Sequence, residues 1–216
     1  MVSKQEGTVQ SITQRQLTPE FIVAVLISVL ALPMAIPVIR KMLGANRGFL
    51  RDLGFLSGPS GTPLAWLLAL AVAVAVIAFT VKHVPPVTRT WRQISWLKGL
   101  VVLAAISAAT VEEAVFRRLV MDSVQQAGGS GVVQIAASAV SFGAAHAIFG
   151  LIKRNLLIAV RASLITGIMG GLLAVAYLVG ERSLAPCITA HILITVALEP
   201  GLLIAAVTGE WQYVPG

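Results

Sequence analysis

The stretch PLAWLLALAVAVAVIAFTV, residues 63–81, decides the fold, because it carries no charge and consists mostly of alanine, valine and leucine. About 20 consecutive apolar residues in a helix cross the hydrocarbon layer of a bilayer. The run opens with Pro63, which suits the first turn of a helix, and stops at the polar pair Lys82 and His83. The pattern therefore predicts a membrane-spanning helix.

The composition of the whole chain agrees with a membrane protein. Of its 216 residues, 57% are hydrophobic and only 12% are charged, unlike a soluble globular protein. The formal net charge of +7 comes mainly from short loops beside apolar runs, where basic side chains anchor to lipid headgroups. We therefore exclude nucleic acid as a partner and expect the lipid bilayer to be one. The expected location is a membrane that the chain crosses several times, the plasma membrane if the host is bacterial.

Further apolar runs on both sides of residues 63–81 predict additional helices. The fold class we expect is all-α, a polytopic bundle of about six to seven membrane helices enclosing a polar site. Gly167 and Gly171 have the spacing that lets helix backbones approach closely. Pro200 and Gly201 are expected to break the last helix. The predicted runs besides 63–81 are 21–39, 99–120, 132–152, 156–179 and 184–207.

These runs divide the chain into four segments. Residues 1–17 form a polar tail, and residues 18–98 form the first membrane helices with their basic loops. Residues 99–207 form a membrane core that contains every candidate catalytic residue. Residues 208–216 form a second tail.

An acidic pair interrupts the apolar run at 99–120. Glu112 and Glu113 are adjacent, and Arg117 follows the second by four residues. A charge at bilayer depth costs about 3 kcal/mol on insertion scales, so such groups are candidates for function. On a helix Glu113 and Arg117 share a face and can pair, whereas Glu112 is rotated by about 100°. Glu112 is left without a local partner and suits the role of a general base that takes a proton from water.

Two histidines in later apolar helices extend the possible site. His146 follows Phe142 by four residues, so both rings lie on one helical face. His191 has the same relation to Thr195, and we expect both histidines in the middle of their spans. Imidazole can bind a metal or stabilise an oxyanion, so these groups with Glu112 contain the parts for hydrolysis. Glu199 lies on the same face as Thr195, but before Pro200 it is expected to end a helix.

Together these motifs resemble a family of intramembrane proteases, the CPBP family, which includes type II CAAX-prenyl endopeptidases and bacterial abortive-infection and bacteriocin-immunity proteins. The resemblance covers roughly residues 99–206. Glu112, Glu113 and Arg117 match its first motif, Phe142 and His146 its second, and His191 begins its third. Their order and spacing, each on an apolar helix, make the combination specific.

The resemblance implies a helical membrane core in which Glu112 activates water for attack on a peptide bond. Glu113 and Arg117 would brace the site, and His146 and His191 would hold the water or stabilise the oxyanion. The family is described both as metalloproteases and as metal-independent glutamate proteases, so zinc bound by the two histidines stays an open alternative. If Glu112 were a third zinc ligand, it would be a poor free base.

One residue departs from the family pattern. The third motif usually ends in asparagine or aspartate, and here that position is Thr195. Threonine keeps a hydroxyl but is shorter than asparagine and lacks the paired groups of an amide. The leading hypothesis is therefore an endopeptidase acting on a membrane peptide or membrane-protein substrate. The alternative is a non-catalytic member that gives bacteriocin immunity or scaffolds a membrane complex.

Overall fold

The described part of the chain is mostly helical and contains no strand. The computed structural model describes residues 18, 21, 22, 24, 25, 28, 29, 36, 40, 51–55, 60–94, 96–152, 154–208 and 210. Its helices are α1 (Pro63–His83), α2 (Pro85–Thr90), α3 (Trp96–Glu113), a π-helical segment (Ala114–Met121), α4 (Asp122–Gln126), α5 (Gly131–His146), α6 (Ile148–Ile152), α7 (Leu156–Val179) and α8 (Ala185–Thr208). The prediction of an all-α membrane bundle is confirmed.

Four of the described helical stretches are long and apolar enough to cross a membrane: 63–83, 96–126, 156–179 and 185–205. Helix α5 is apolar but shorter. The predicted first helix, 21–39, lies mainly outside the described residues, and the positions described within it are helical. The molecule is accordingly an integral membrane protein with several crossings.

Helix α8 occupies the centre of the bundle and contacts α1, α2, α3 and α7. Its buried residues include Cys187, Ile188, Ile194 and Leu198, in one core with residues of α1 and α7. A helix that is apolar on every side is expected at such a position. Any polar residue on the inner faces of α8 must therefore find its partner inside the bundle.

Glycines bring α5 and α7 together. A Cβ atom added at Gly143 would lie 2.5 Å from the backbone oxygen of Ser163, and one at Gly167 would lie 3.2 Å from that of Ala139. At Gly171 it would meet the Ala139 Cβ at 3.3 Å. The predicted role of Gly167 and Gly171 is therefore confirmed, and small residues permit this contact as in other membrane helix pairs.

Caps fix where two long helices begin. The Thr62 side chain accepts a hydrogen bond from the Ala65 amide at 3.2 Å, and its hydroxyl donates to the Val179 backbone oxygen at 3.0 Å. The Asn155 side chain accepts from the Ile158 amide at 3.1 Å, which starts α7 at the predicted residue. A side-chain oxygen at this position satisfies an amide that the helix leaves unpaired.

The predicted single helix 132–152 is interrupted at Ala147. Helix α5 ends at His146, Ala147 forms a turn, and α6 is a separate short helix. The physical reason is the packing of α6 on α7, where a Cβ atom at Gly150 would lie 2.1 Å from the Ala159 nitrogen. The turn brings the Gly150 backbone against α7. His146 consequently lies at a helix end, and its predicted position in mid-span is wrong.

The predicted break at Pro200 and Gly201 is also wrong, because α8 continues through both residues to Thr208. Proline removes one backbone hydrogen bond, but the packing of α8 outweighs that loss. A Cβ atom at Gly201 would lie 2.6 Å from both the Val87 Cα and the Thr90 Oγ1. Gly201 therefore serves the close contact between α8 and α2.

Candidate active site

The acidic pair lies where the third spanning helix changes its geometry. Glu112 and Glu113 are the last residues of α3, and the π-helical segment begins directly after them and contains Arg117. The predicted helix 99–120 is thus longer than expected, since helical structure runs from Trp96 to Gln126. A π turn is wider than an α turn and frequently occurs at functional sites. Its presence changes the direction of side chains just beyond the two carboxylates.

Glu113 forms the closed end of the site. Its side chain and that of Arg117 are both fully buried, and the Arg117 Nε lies 2.9 Å from the Glu113 Oε2. Its other oxygen, Oε1, accepts a hydrogen bond from the His191 Nδ1 at 2.9 Å. One carboxylate therefore binds a cation on its own helix and an imidazole on α8. The Glu113 side chain therefore connects α3 to α8.

The Arg117 guanidinium is held by charge rather than by hydrogen bonds. None of its three nitrogens makes a hydrogen bond with the described residues, although Nε is close to Glu113. Its Cζ atom lies 4.9 Å from the centre of the Phe142 ring. Attraction to the ring face and to the carboxylate offsets part of the burial cost.

Glu112 lies at the more exposed end of the site, with its Oε2 atom buried. Its side chain is 27% exposed, compared with 0% for Glu113. The Glu112 Oε2 lies 3.9 Å from the His146 Nε2 and 3.8 Å from the His191 Nε2. Both separations exceed a direct hydrogen bond but suit a single water between the groups. Adjacent residues thus have different surroundings, and the partners of Glu112 come from α5 and α8.

Hydrogen bonds at the other ring nitrogens orient both imidazoles. The His146 Nδ1 lies 2.8 Å from the Phe142 backbone oxygen, and the His191 Nδ1 faces Glu113. Each of these partners accepts a hydrogen bond, so each Nδ1 carries the proton and donates it. Each Nε2 is then directed at Glu112. The partners differ in charge, since one is a neutral carbonyl and the other a carboxylate.

Phe142 lies between these groups. Its ring centre is 4.5 Å from that of His146, 5.8 Å from that of His191 and 5.0 Å from that of Phe116. Its fully buried side chain fits beside Gly170, where a Cβ atom would lie 3.1 Å from the Phe142 Cβ. Phe142 therefore fixes the relative positions of three charged or titratable side chains.

Thr195 lies one turn beyond His191 and is partly buried. Its hydroxyl makes no hydrogen bond with the residues that the structure describes. The structure thus brings six of the seven predicted site residues into direct or near contact and places Thr195 beside them. The roles assigned to these residues stay predictions.

Contrary to the sequence prediction, Glu199 does not lie at a helix end. It is partly buried, and α8 extends nine residues beyond it, so it does not end a helix. Its spacing in the sequence, four residues after Thr195 and eight after His191, places all three residues on one face of α8.

Zinc bound by His146 and His191 is the alternative that the sequence left open. Within the described ranges, no group of three histidine, cysteine, aspartate or glutamate side chains is placed to hold a metal ion. A catalytic zinc site has three protein ligands, each about 2.0 to 2.2 Å from the metal.

One known protein family matches part of the chain. Residues 94–197, just under half of the chain, match the family described as Type II CAAX prenyl endopeptidase Rce1-like. The matched range contains all seven predicted site residues, and Glu199 lies just beyond it. No curated protein and no solved structure matches the chain. The resemblance inferred from the motifs is confirmed at the level of the family.

Proposed function

Since residues 94–197 belong to this family of CAAX-type membrane proteases, we propose that the chain is an intramembrane endopeptidase that uses Glu112 to activate water. The observation that carries the proposal is the position of the Glu112 Oε2, a buried atom that makes no hydrogen bond with the described residues and lies 3.8 and 3.9 Å from two imidazole nitrogens. A water bound among these three atoms has a base on one side and an imidazole on each of the others.

In the first step, Glu112 removes a proton from the water while its oxygen attacks the carbonyl carbon of the scissile peptide bond. The carbonyl π bond breaks, and its electron pair moves to the oxygen. The resulting tetrahedral intermediate carries an oxyanion, and Glu112 is now a neutral acid. General base catalysis of this kind contributes about 10² to 10⁴ in rate.

The two histidines have different tasks in this scheme. The Glu113 carboxylate stabilises a positive charge on His191, whose Nε2–H can then donate to the oxyanion. The His146 Nδ1 donates to a neutral carbonyl, so its Nε2 keeps a lone pair that accepts a hydrogen bond from the water. His146 thus orients the water, and His191 stabilises the intermediate.

In the second step, the intermediate collapses and the C–N bond breaks. The protonated Glu112 gives its proton to the departing amine, which returns the carboxylate to its starting state. Arg117 balances the charge of Glu113 throughout, since the two remain in contact and away from water. The products are a new carboxyl terminus and a new amino terminus.

The proposed substrate is a membrane peptide or the terminus of a membrane protein. Glu112 and His191 lie on helices that are long and apolar enough to span a bilayer, and large apolar side chains cover the outer surfaces of these helices. A substrate that is itself in the bilayer can reach Glu112 without crossing into water. The cleaved bond would lie in or near the membrane.

The test compares cells that carry the wild-type chain, Glu112→Gln, Glu181→Gln or no copy. Membrane-protein fragments and their new termini are identified by mass spectrometry. Fragments are expected with the wild type and with the control Glu181→Gln, whose side chain is exposed in the turn between α7 and α8. Equal amounts of fragment with Glu112→Gln, at equal protein abundance, would contradict the proposal.

The alternative is a non-catalytic membrane protein that binds a partner. The position of Thr195 favours it, since the hydroxyl makes no hydrogen bond with the described residues and differs from the usual amide. In that case Glu112→Gln keeps the phenotype. Gly167→Leu abolishes it, because the added side chain would push α7 away from the Ala139 backbone of α5.

A further inference from the structure

Four polar side chains meet at one end of the bundle, and we call them the Arg182 cluster. Arg182, in the turn before α8, forms an ion pair with Asp122 of α4. Its Nη2 donates to the Gln134 Oε1 of α5 at 2.7 Å. The Tyr177 hydroxyl of α7 donates to the same Asp122 oxygen at 3.4 Å. Arg182 and its partners therefore join four parts of the chain.

The cluster holds Arg182 in one orientation. Gln134 and Tyr177 are buried, and the Arg182 and Asp122 side chains are only 27% and 30% exposed. The Arg182 Cζ also lies 5.7 Å from the centre of the Tyr177 ring. An arginine whose partners are a carboxylate, an amide and an aromatic ring is fixed more firmly than one in an isolated surface pair.

The backbone is strained where Arg182 enters the cluster. Glu181 and Arg182 have φ angles of 53° and 63°, in the left-handed region that residues other than glycine rarely adopt. Each such residue costs about 1 to 2 kcal/mol. Such a conformation persists only where the surrounding contacts determine it. The Glu181 side chain is exposed, so the contacts of Arg182 are the ones that offset this cost.

The Arg182 cluster gives the helix of the acidic pair a second link to α8. The first link is the hydrogen bond between Glu113 and His191, at 2.9 Å. The second joins Asp122 to Arg182, three residues before α8 begins. The π-helical segment lies between Glu113 and Asp122, so each of its ends has one link. The two stretches run in opposite directions, because Glu113 precedes Asp122 whereas its partner follows Arg182.

Two links fix what apolar packing leaves adjustable. Apolar contacts are not directional, so they set which face of α8 is buried but resist a small shift along its axis only weakly. Hydrogen bonds between charged groups are directional and oppose such a shift. The distances of 3.8 and 3.9 Å from the Glu112 Oε2 to the two imidazoles leave little room for one.

We propose that Asp122 and Arg182 are positioning residues, whose ion pair fixes α8 along its axis and so holds His191 opposite the acidic pair. This inference rests on the proposed function only for its effect on rate. Neither side chain touches the reacting atoms in that scheme. Their effect is transmitted through the turn into α8 at one end and through the π-helical segment at the other.

The first experiment does not depend on catalysis. The purified protein, with ¹⁵N-labelled histidine and in lipid nanodiscs, is examined by NMR for the proton on the His191 Nδ1. A hydrogen bond to a carboxylate moves this resonance downfield, and its position depends steeply on the length of the bond. The resonance is assigned by its absence from His191→Gln. We expect it in the wild type, and we expect it to move upfield or disappear in Arg182→Met.

A charge exchange and a matched control separate the pair from a general loss of structure. Asp122→Arg with Arg182→Asp restores an ion pair, and aspartate tolerates a positive φ better than most residues. The Gln134 amide can turn to donate to the new carboxylate. We expect the wild-type resonance to return in this double variant. Arg89→Met breaks a more exposed arginine–carboxylate pair, with Glu210, and should leave the resonance unchanged.

Two outcomes would overturn the proposal. One is a wild-type resonance in Arg182→Met, and the other is a resonance lost equally in the single and the double variant. Unfolding temperatures show whether Arg182→Met is folded. Asp122→Asn keeps the side-chain volume and is measured beside it, and its resonance should move in the same direction. An unchanged resonance in folded Asp122→Asn would equally contradict the proposal.

The second experiment measures the cleavage of a substrate found in the fragment comparison. We expect kcat to fall about tenfold in Arg182→Met with KM unchanged, because a misplacement of about 1 Å is costly and Arg182 does not touch the substrate. The charge exchange should restore kcat to within about threefold of the wild type, and Arg89→Met should not change it. A wild-type kcat in Arg182→Met would refute the positioning role. If the wild type forms no fragments, the proposed function fails, and the resonance still decides whether the pair positions His191.

Discussion

Replacing Arg117 by methionine should destabilise the protein strongly, because it leaves a buried carboxylate without its cation. Both side chains of the pair are fully buried, with Nε and Oε2 2.9 Å apart. Breaking such a pair by removing one partner costs about 3 to 5 kcal/mol. His191 still donates to Glu113, which places the expected loss in the free energy of unfolding near the lower figure, about 3 kcal/mol.

The double variant Glu113→Gln with Arg117→Met separates charge from packing. It removes both charges and keeps most of the volume, so its free energy of unfolding should return to within about 1 kcal/mol of the wild type. The absence of hydrogen bonds from the guanidinium to the described residues supports this recovery, because few specific contacts are lost with it. A large coupling energy between the two positions is therefore expected.

The assay is thermal or denaturant unfolding in one detergent, with wild type, the two single variants and the double variant measured together. A loss of about 3 kcal/mol corresponds to an unfolding temperature lower by about 6 to 12 °C for a chain of this length. An Arg117→Met protein within about 0.5 kcal/mol of the wild type would refute the reasoning, since that is the effect of a surface substitution. A double variant as unstable as Arg117→Met would show that packing of the arginine, not charge, is what matters.

Three further predictions concern packing, the third motif and metals. Gly143→Leu should lower the free energy of unfolding by about 1 to 3 kcal/mol, because the Ser163 oxygen lies 2.5 Å from the added Cβ. Its control is Gly99→Leu, which meets no atom within 4 Å and should not destabilise; equal losses would contradict the packing described for α5 and α7. Thr195→Asn should raise kcat in the peptidase assay, because an amide reaches farther than a hydroxyl and offers both donor and acceptor; a lower kcat at equal stability would argue against it. Treatment with a zinc chelator should leave kcat unchanged, because no three described side chains are placed as ligands; loss of activity that added zinc restores would show otherwise.

Apolar runs predicted the long helices well, because a helix that crosses a bilayer needs about 20 consecutive apolar residues. Helix α7 begins and ends at the predicted residues, Leu156 and Val179. The close contacts at Gly167 and Gly171 were also predictable, since only small residues allow backbones to approach. These features depend on local composition and length, which the sequence contains directly.

The irregular parts of the helices depend on tertiary packing and were not predictable in the same way. Pro200 and Gly201 have the composition of a break, yet α8 continues because Gly201 fits against Val87 and Thr90 of α2. The end of α5 at His146 follows from the contact of Gly150 with α7. Neither contact can be inferred from the residues of the helix itself.

The motif Phe-x-x-x-His illustrates what local sequence can and cannot specify. It occurs twice, at Phe79 and His83 and again at Phe142 and His146. In both copies the histidine is the last residue of its helix, and its Nδ1 lies 2.8 Å from the backbone oxygen of the phenylalanine. The local structure is therefore the same. Only the second copy faces the acidic pair, so its candidate function comes from the neighbouring helices and not from the motif.

The pairing within the site depends on the rotation of α8 about its own axis. Sequence spacing predicted the pair of Glu113 with Arg117 and left Glu112 without a local partner, and the geometry agrees with both. It did not predict that His191 would bond to Glu113 through one nitrogen and face Glu112 with the other. A shift of one residue along α8 would turn the imidazole by about 100° and remove both contacts. The buried residues on the other faces of α8 pack against α1 and α7 and fix that rotation. The apolar core therefore determines that Glu113 is fully buried and that Glu112 lies at the more exposed end of the site.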